Sequence, residues 1–175
     1  MLNKAIDSID YNTLVSLFSD ELQPDTHLTG FLYAVSEEFV IIKHITPSGL
    51  YDGYVMVWRD DIFRIDAEGK YEQKIKALYD IKKQQHPILP LEKDLYCSLL
   101  QFCMTNNYLL CVQLNDSMIR GILMDFDDQT IFLQGINEYG ENDGSQVVSI
   151  ESVRSFSIDC QEEQDILLLV RRKTD

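Results

Sequence analysis

Residues 30–53, GFLYAVSEEFVIIKHITPSGLYDG, and residues 121–144, GILMDFDDQTIFLQGINEYGENDG, carry one pattern twice at a constant offset of 91. Gly30 meets Gly121, Leu32 meets Leu123, Val40 and Ile42 meet Ile131 and Leu133, and Ile45 meets Ile136. In the same frame Gly49, Asp52 and Gly53 meet Gly140, Asp143 and Gly144, and Val57, Ile62 and Ile65 then meet Val148, Val153 and Phe156. Short apolar stretches separated by polar turns, with glycines at fixed points, mark short strands in a meander.

Working outward, the first copy predicts strands near 13–19, 27–35, 38–46, 53–58 and 62–66. The second predicts them near 108–114, 118–126, 129–136, 146–151 and 153–159. Five short strands per copy suggest a mainly β chain with linker helices, built as two tandem five-stranded, SH3-like small barrels. Gly30 and Gly121 lie inside strands expected to bend, because a residue without a side chain lets a strand coil. The domains expected are a first barrel over 1–66, a helical linker over 67–94, and a second barrel over 95–175 with an N-terminal helix and an extra C-terminal strand. In the linker Tyr71, Ile75, Leu78 and Tyr79 stand at helical spacing and HPILP (86–90) breaks the run. Leu95, Leu99, Phe102 and Cys103 repeat at i, i+4, i+7 and i+8, which predicts a helix over 92–104. The run DILLLVRRK (165–173) reads as an extra strand or a short helix, with the strand preferred.

The second copy, LNDSMIRGILMDFDDQTIFLQG (114–135) followed by SQVVSIESVRSF (145–156), resembles the Sm-like family and, within it, the Hfq branch. The matching residues are Gly121, Leu123, Phe126 and Asp127, the apolar run Ile131 to Leu133, and Ser145, Gln146 and Val148. The resemblance implies an N-terminal helix and a strongly bent five-stranded antiparallel sheet that assembles through its outer strands. Where the Hfq branch carries a Tyr-Lys-His triplet near its pore, this chain has Ser149, Ile150 and Glu151, and the first copy has Trp58, Arg59 and Asp60. Loss of the stacking ring and the cations removes the platform that holds a single strand of RNA.

The formal net charge is −14. Residues 1–66 hold 4 basic against 11 acidic side chains and residues 95–175 hold 5 against 13, whereas 67–94 are near balance. Such surfaces repel phosphate backbones and anionic lipid, so neither DNA nor a membrane is expected as a partner, and RNA is disfavoured. Without a signal-peptide core or a long apolar run, the expected location is the cytoplasm. Cys97, Cys103, Cys111 and Cys160 form no C-x-x-C pair, and His27, His44 and His86 stand far apart, so no metal or other cofactor is expected. Asp125, Asp127 and Asp128 read as a solvated turn, and GENDG (140–144) as a hairpin turn. No catalytic motif stands out. Tyr51, Tyr54 and Trp58 beside Arg59 are the aromatic concentration with a cation, hence the candidate binding residues for a peptide or a base. The function these observations suggest is a non-catalytic Sm-like binding or assembly module that self-associates or takes a protein partner through sheet edges. The alternative is an RNA-binding regulator using Lys70, Lys74, Lys76, Lys82 and Lys83, or Arg171, Arg172 and Lys173; an enzyme with an unrecognised site is the least supported.

Overall fold

The computed structural model describes residues 2–174, without the side chains of residues 3 and 174. The chain divides between Ile88 and Leu89 into two compact units. The first holds α1 (Leu2–Ser8), β1 (Leu14–Phe18), β2 (Leu28–Val35), β3 (Phe39–Ile45), β4 (Tyr51–Trp58), β5 (Arg64–Ala67) and α2 (Lys70–Ile81). The second holds α3 (Leu95–Asn106), β6 (Leu109–Gln113), β7 (Met118–Phe126), β8 (Thr130–Ile136), β9 (Asn142–Ser149), a 3-10 turn (Ile150–Ser152), β10 (Ser155–Ile158) and α4 (Gln161–Thr174).

Each unit runs helix, five strands, helix. The strand order is β5-β1-β2-β3-β4 in the first and β10-β6-β7-β8-β9 in the second, all antiparallel. The strands make open sheet, and two tandem closed barrels do not form: among the described residues, in neither unit does the last strand in the order pair back onto the first. The reason is visible at β1. All five of its residues are buried, so at β1 both faces of the sheet need cover, where a closed barrel would turn one face to solvent. One face packs Val15, Leu17, Leu32, Val40, Ile42 and Val57 under Ile6 of α1. The other packs Leu14 and Ile45 under Ile75 and Tyr79 of α2. Of the segment expected as linker, residues 67–88 therefore belong to the first unit and residues 89–94 to the second.

The run expected as an extra C-terminal strand is α4, a helix. Glu162 and Glu163 in its first turn and Arg171, Arg172 and Lys173 in its last match the helix dipole. It is also the repeat of α2, at the same offset of 91. Glu68 and Asp159 precede the two helices with φ of 57° and 59°. Gln73 Nε2 donates to the Glu68 carbonyl at 2.7 Å, and Gln164 Nε2 to the Asp159 carbonyl at 2.8 Å. Gly49 (φ 74°) and Gly140 (φ 69°) pass so close behind the helices that a Cβ would stand 2.8 Å from the Tyr79 nitrogen and 2.9 Å from that of Val170.

The β-bulges repeat too. Register shifts fall between Leu32 and Ala34 and between Leu123 and Asp125, then between Lys43 and Ile45 and between Gln134 and Ile136. Bulges bend a strand and raise its twist. Gly30 and Gly121 sit just ahead of the first pair, where a neighbouring strand comes close: a Cβ on Gly121 would stand 2.5 Å from the Gln134 carbonyl oxygen.

Candidate functional site

The four candidate binding residues occupy two separate places. The Tyr51 amide donates to Gln84 Oε1 at 3.0 Å, and the Tyr54 hydroxyl donates to the Pro87 carbonyl. Between these two bonds the His86 ring packs on Tyr51, Tyr54 and Tyr79, with centroids at 4.5, 5.5 and 5.8 Å. Its Nε2 lies 2.9 Å from the His44 carbonyl and its Nδ1 2.9 Å from the Tyr79 hydroxyl, so a neutral ring protonated on Nε2 satisfies both partners. Burial, with help from Lys43, lowers the His86 pKa to about 4. Tyr51 and Tyr54 thus carry a strap made of residues 84–87. Trp58 packs on Phe39 at 4.3 Å. Arg59 bonds Asp7 of α1 at 2.9 Å and the Ser36 carbonyl at 2.8 Å, tying the first helix to the β2–β3 turn.

Three of the four thiols are poor nucleophiles. Burial pushes Cys103 up to about 12 and Cys111 up to about 11. Cys97 is exposed in a cleft of about 650 Å³ beside α3 with Pro90, Gln101, Phe102 and Phe126, yet desolvation and then Asp94 raise its pKa. A thiol beside a carboxylate keeps its proton, the reverse of what attack requires.

The acidic turns bind themselves. Asp127 Oδ1 accepts from the Gln129 and Thr130 amides at 2.8 and 2.7 Å, and Asn137 Oδ1 accepts from the Tyr139 and Glu141 amides at 3.0 Å each. Such Asx turns explain both loops without a cation.

What the residue types do not reveal is an edge. Among the described residues β9 pairs with β8 alone and β5 with β1 alone. The Ile150 amide donates to the Gln129 carbonyl at 2.9 Å, in the register that pairs Thr130 with Ser149. Antiparallel strands alternate, so the backbone groups of Gln146 and Val148 turn to β8, and those of Ser145, Val147 and Ser149 turn outward. Val147 is 71% exposed, opposite Phe132 at 37%. The sequence signal was there in Val147-Val148: adjacent valines in one strand place one on each face, and only Val148 is buried.

No family model, no curated protein and no solved structure matches this chain. No described helix is long and apolar enough to cross a membrane.

Proposed function

We propose that this chain is a non-catalytic assembly module of the Sm-like type, which associates with copies of itself or with a protein through exposed strand edges. The observation that carries the reading is the β9 edge, whose outward amides and carbonyls are a template for another strand. The order of elements supports the family resemblance: a helix, then antiparallel strands in which the fifth lies beside the first.

Three of the cations that an RNA-binding regulator would use are engaged in the fold. Lys76 pairs with Asp80 at 3.1 Å, Lys82 donates to the Ser48 carbonyl at 2.6 Å, and Lys173 meets Glu141 at 2.9 Å. With a net charge of −14 the electrostatic term opposes a phosphate backbone.

Sedimentation velocity on protein purified from cells, with its absorbance ratio at 260 and 280 nm, tests the reading. The expected result is a protein-only spectrum and either a concentration-dependent oligomer or a co-purifying protein. Co-purified RNA that survives moderate salt would put the regulator first.

A further inference from the structure

We infer that two copies of this chain form a two-fold symmetric dimer in which β9 of one pairs antiparallel with β9 of the other, centred on Val147. The inference rests on the edge-association reading above and specifies the edge, the register and the symmetry.

The two edge strands differ in how well they are protected. Strand β5 has four residues and carries the Arg64–Asp66 ion pair. Short, charged edges resist pairing. Strand β9 has eight residues, and from Ser145 to Ser149 it has no charge and no proline. All but Gln146 and Val148 in that strand are exposed.

The occupant follows from the sequence of the edge, Ser-Gln-Val-Val-Ser, which reads nearly alike in both directions. An antiparallel copy centred on Val147 sets Ser145 against Ser149, Gln146 against Val148, and Val147 against itself. Val147 turns its own amide and carbonyl outward, so the central pair exchanges two backbone hydrogen bonds across the axis. Phe132 and Val147 already lie opposite one another, and the dimer extends them to a row of four: Phe132, Val147, then Val147 and Phe132 of the second copy. Met124, 52% exposed at the bulge, borders the row.

The first unit shows the same row covered. Ala34, Ile41 and Met56 pair in register as Asp125, Phe132 and Val147 do, and there Ile41 and Met56 are buried. Aliphatic side chains gain roughly 25 cal/mol per Å² on losing water, which is the driving force for covering the second row as well.

Charge sets a signature. Beyond the paired stretch Asp143 falls opposite Glu151 of the second copy at both ends, and each chain carries −14. Salt that screens charges beyond roughly 8 Å at physiological strength therefore tightens the dimer, whereas a contact built on Arg64 would loosen.

Sedimentation velocity of the full chain over a micromolar dilution series, at low and at high salt, reads both features. The dimer should form and strengthen with salt, and Val147→Lys should weaken it by at least about tenfold by placing two ammonium groups at the axis. Val147 is exposed, so the variant should keep the wild-type circular dichroism. On a Cys97→Ser background, Val147→Cys should cross-link to itself under mild oxidation, because directly opposed residues stand about 5.5 Å apart at Cα, and Ser145→Cys should not. A monomer at every concentration, with no protein partner, would overturn this inference together with the edge-association reading. An oligomer indifferent to Val147→Lys, or one broken by Ile65→Lys on β5, would overturn this inference alone.

Discussion

Both units bury a glutamate at the start of their last helix, Glu72 in α2 and Glu163 in α4, and they satisfy it differently. In the first unit Ser16 of β1 donates to Glu72 Oε1 at 2.6 Å, with the Thr29 hydroxyl 3.4 Å behind it. In the second, Cys111 and Arg120 stand in the places of Ser16 and Thr29. There the Cys160 amide donates to Glu163 Oε2 at 3.0 Å, and the Arg120 guanidinium approaches Oε1 at 3.7 Å while bonding Glu162 at 2.6 Å. The same cross-strand pair thus answers a buried carboxylate with a hydroxyl from one strand or a cation from the other. The fold depends on the carboxylate being satisfied, and the chemistry of the partner is open.

The largest effect expected tests whether the two units are equivalent at all. Gly121→Val and Gly30→Val each force a Cβ onto the carbonyl of a neighbouring strand, at Gln134 and at Lys43. Each should destabilise its own unit by about 3 kcal/mol or more, read as unit-specific loss of hydrogen-exchange protection in urea. Equal losses would affirm the equivalence; tolerance in one unit would break it.

Next comes the pair that differs. Arg120→Met leaves Glu163 buried without its cation and should cost about 2–4 kcal/mol in the second unit. The matching change, Thr29→Val, removes one long neutral hydrogen bond and should cost the first unit about 1 kcal/mol or less. Chemical denaturation of the two variants would refute the comparison if their order were reversed.

How much of this could be read from residues alone divides along the same repeat. The strands were legible because alternation and turn glycines recur in register, and observed strands fall within a few residues of those expected. The C-terminal helix was not, because Ile166 to Val170 is a run of β-compatible side chains with no visible period. The repeat itself held the answer: Glu72, Gln73 and Ile75 recur as Glu163, Gln164 and Ile166, and a frame followed past residue 66 would have read 161–172 as a second α2. The open sheet was hidden for a related reason. Local pattern shows that β1 is apolar on both faces, but whether the second face is closed in or covered by a helix depends on contacts distant in sequence. The candidate aromatics fall in two separate places, and what the sequence hid is that the strap at 84–87 takes two of them.

His86 in the first unit and Glu163 in the second should respond to pH in opposite directions. His86 has a folded pKa of about 4 against an ordinary 6.5, so the unfolded chain binds the extra proton first. The first unit should hold this stability above pH 6.5 and lose it as pH falls toward 4. Glu163 is raised, by burial first, so the folded form keeps its proton longer. The contribution of Glu163 to the second unit should be fully present below the ordinary glutamate range and be lost as pH rises through the elevated pKa. Hydrogen exchange followed separately in residues 2–88 and 89–174 from pH 4 to 7 checks both slopes. His86→Gln should flatten the first and Glu163→Gln the second.

The smallest effect concerns the turn between the second and third strands of each unit. Asp127 occupies the place of Ser36 and does the same work: Ser36 Oγ accepts from the Phe39 amide at 2.9 Å and the Glu38 amide at 3.3 Å. Asp127 Oδ1 accepts from the Thr130 amide, the Gln129 amide and the Thr130 hydroxyl. The turn needs an acceptor at this point because its amides face no strand, and a hydroxyl meets that need as a carboxylate does. Asp127→Ser should therefore leave the melting temperature within about 2 °C of wild type at neutral pH, while Asp127→Ala lowers it further. The bonds from Gln129 and then Thr130 hold the Asp127 pKa below its ordinary value. Its contribution is present above that ordinary value and disappears as pH falls through the folded pKa. Thermal melts of wild type and Asp127→Ser should converge in strong acid. A gap that widened there instead would mean that the carboxylate, and not merely an acceptor, is what the second unit requires.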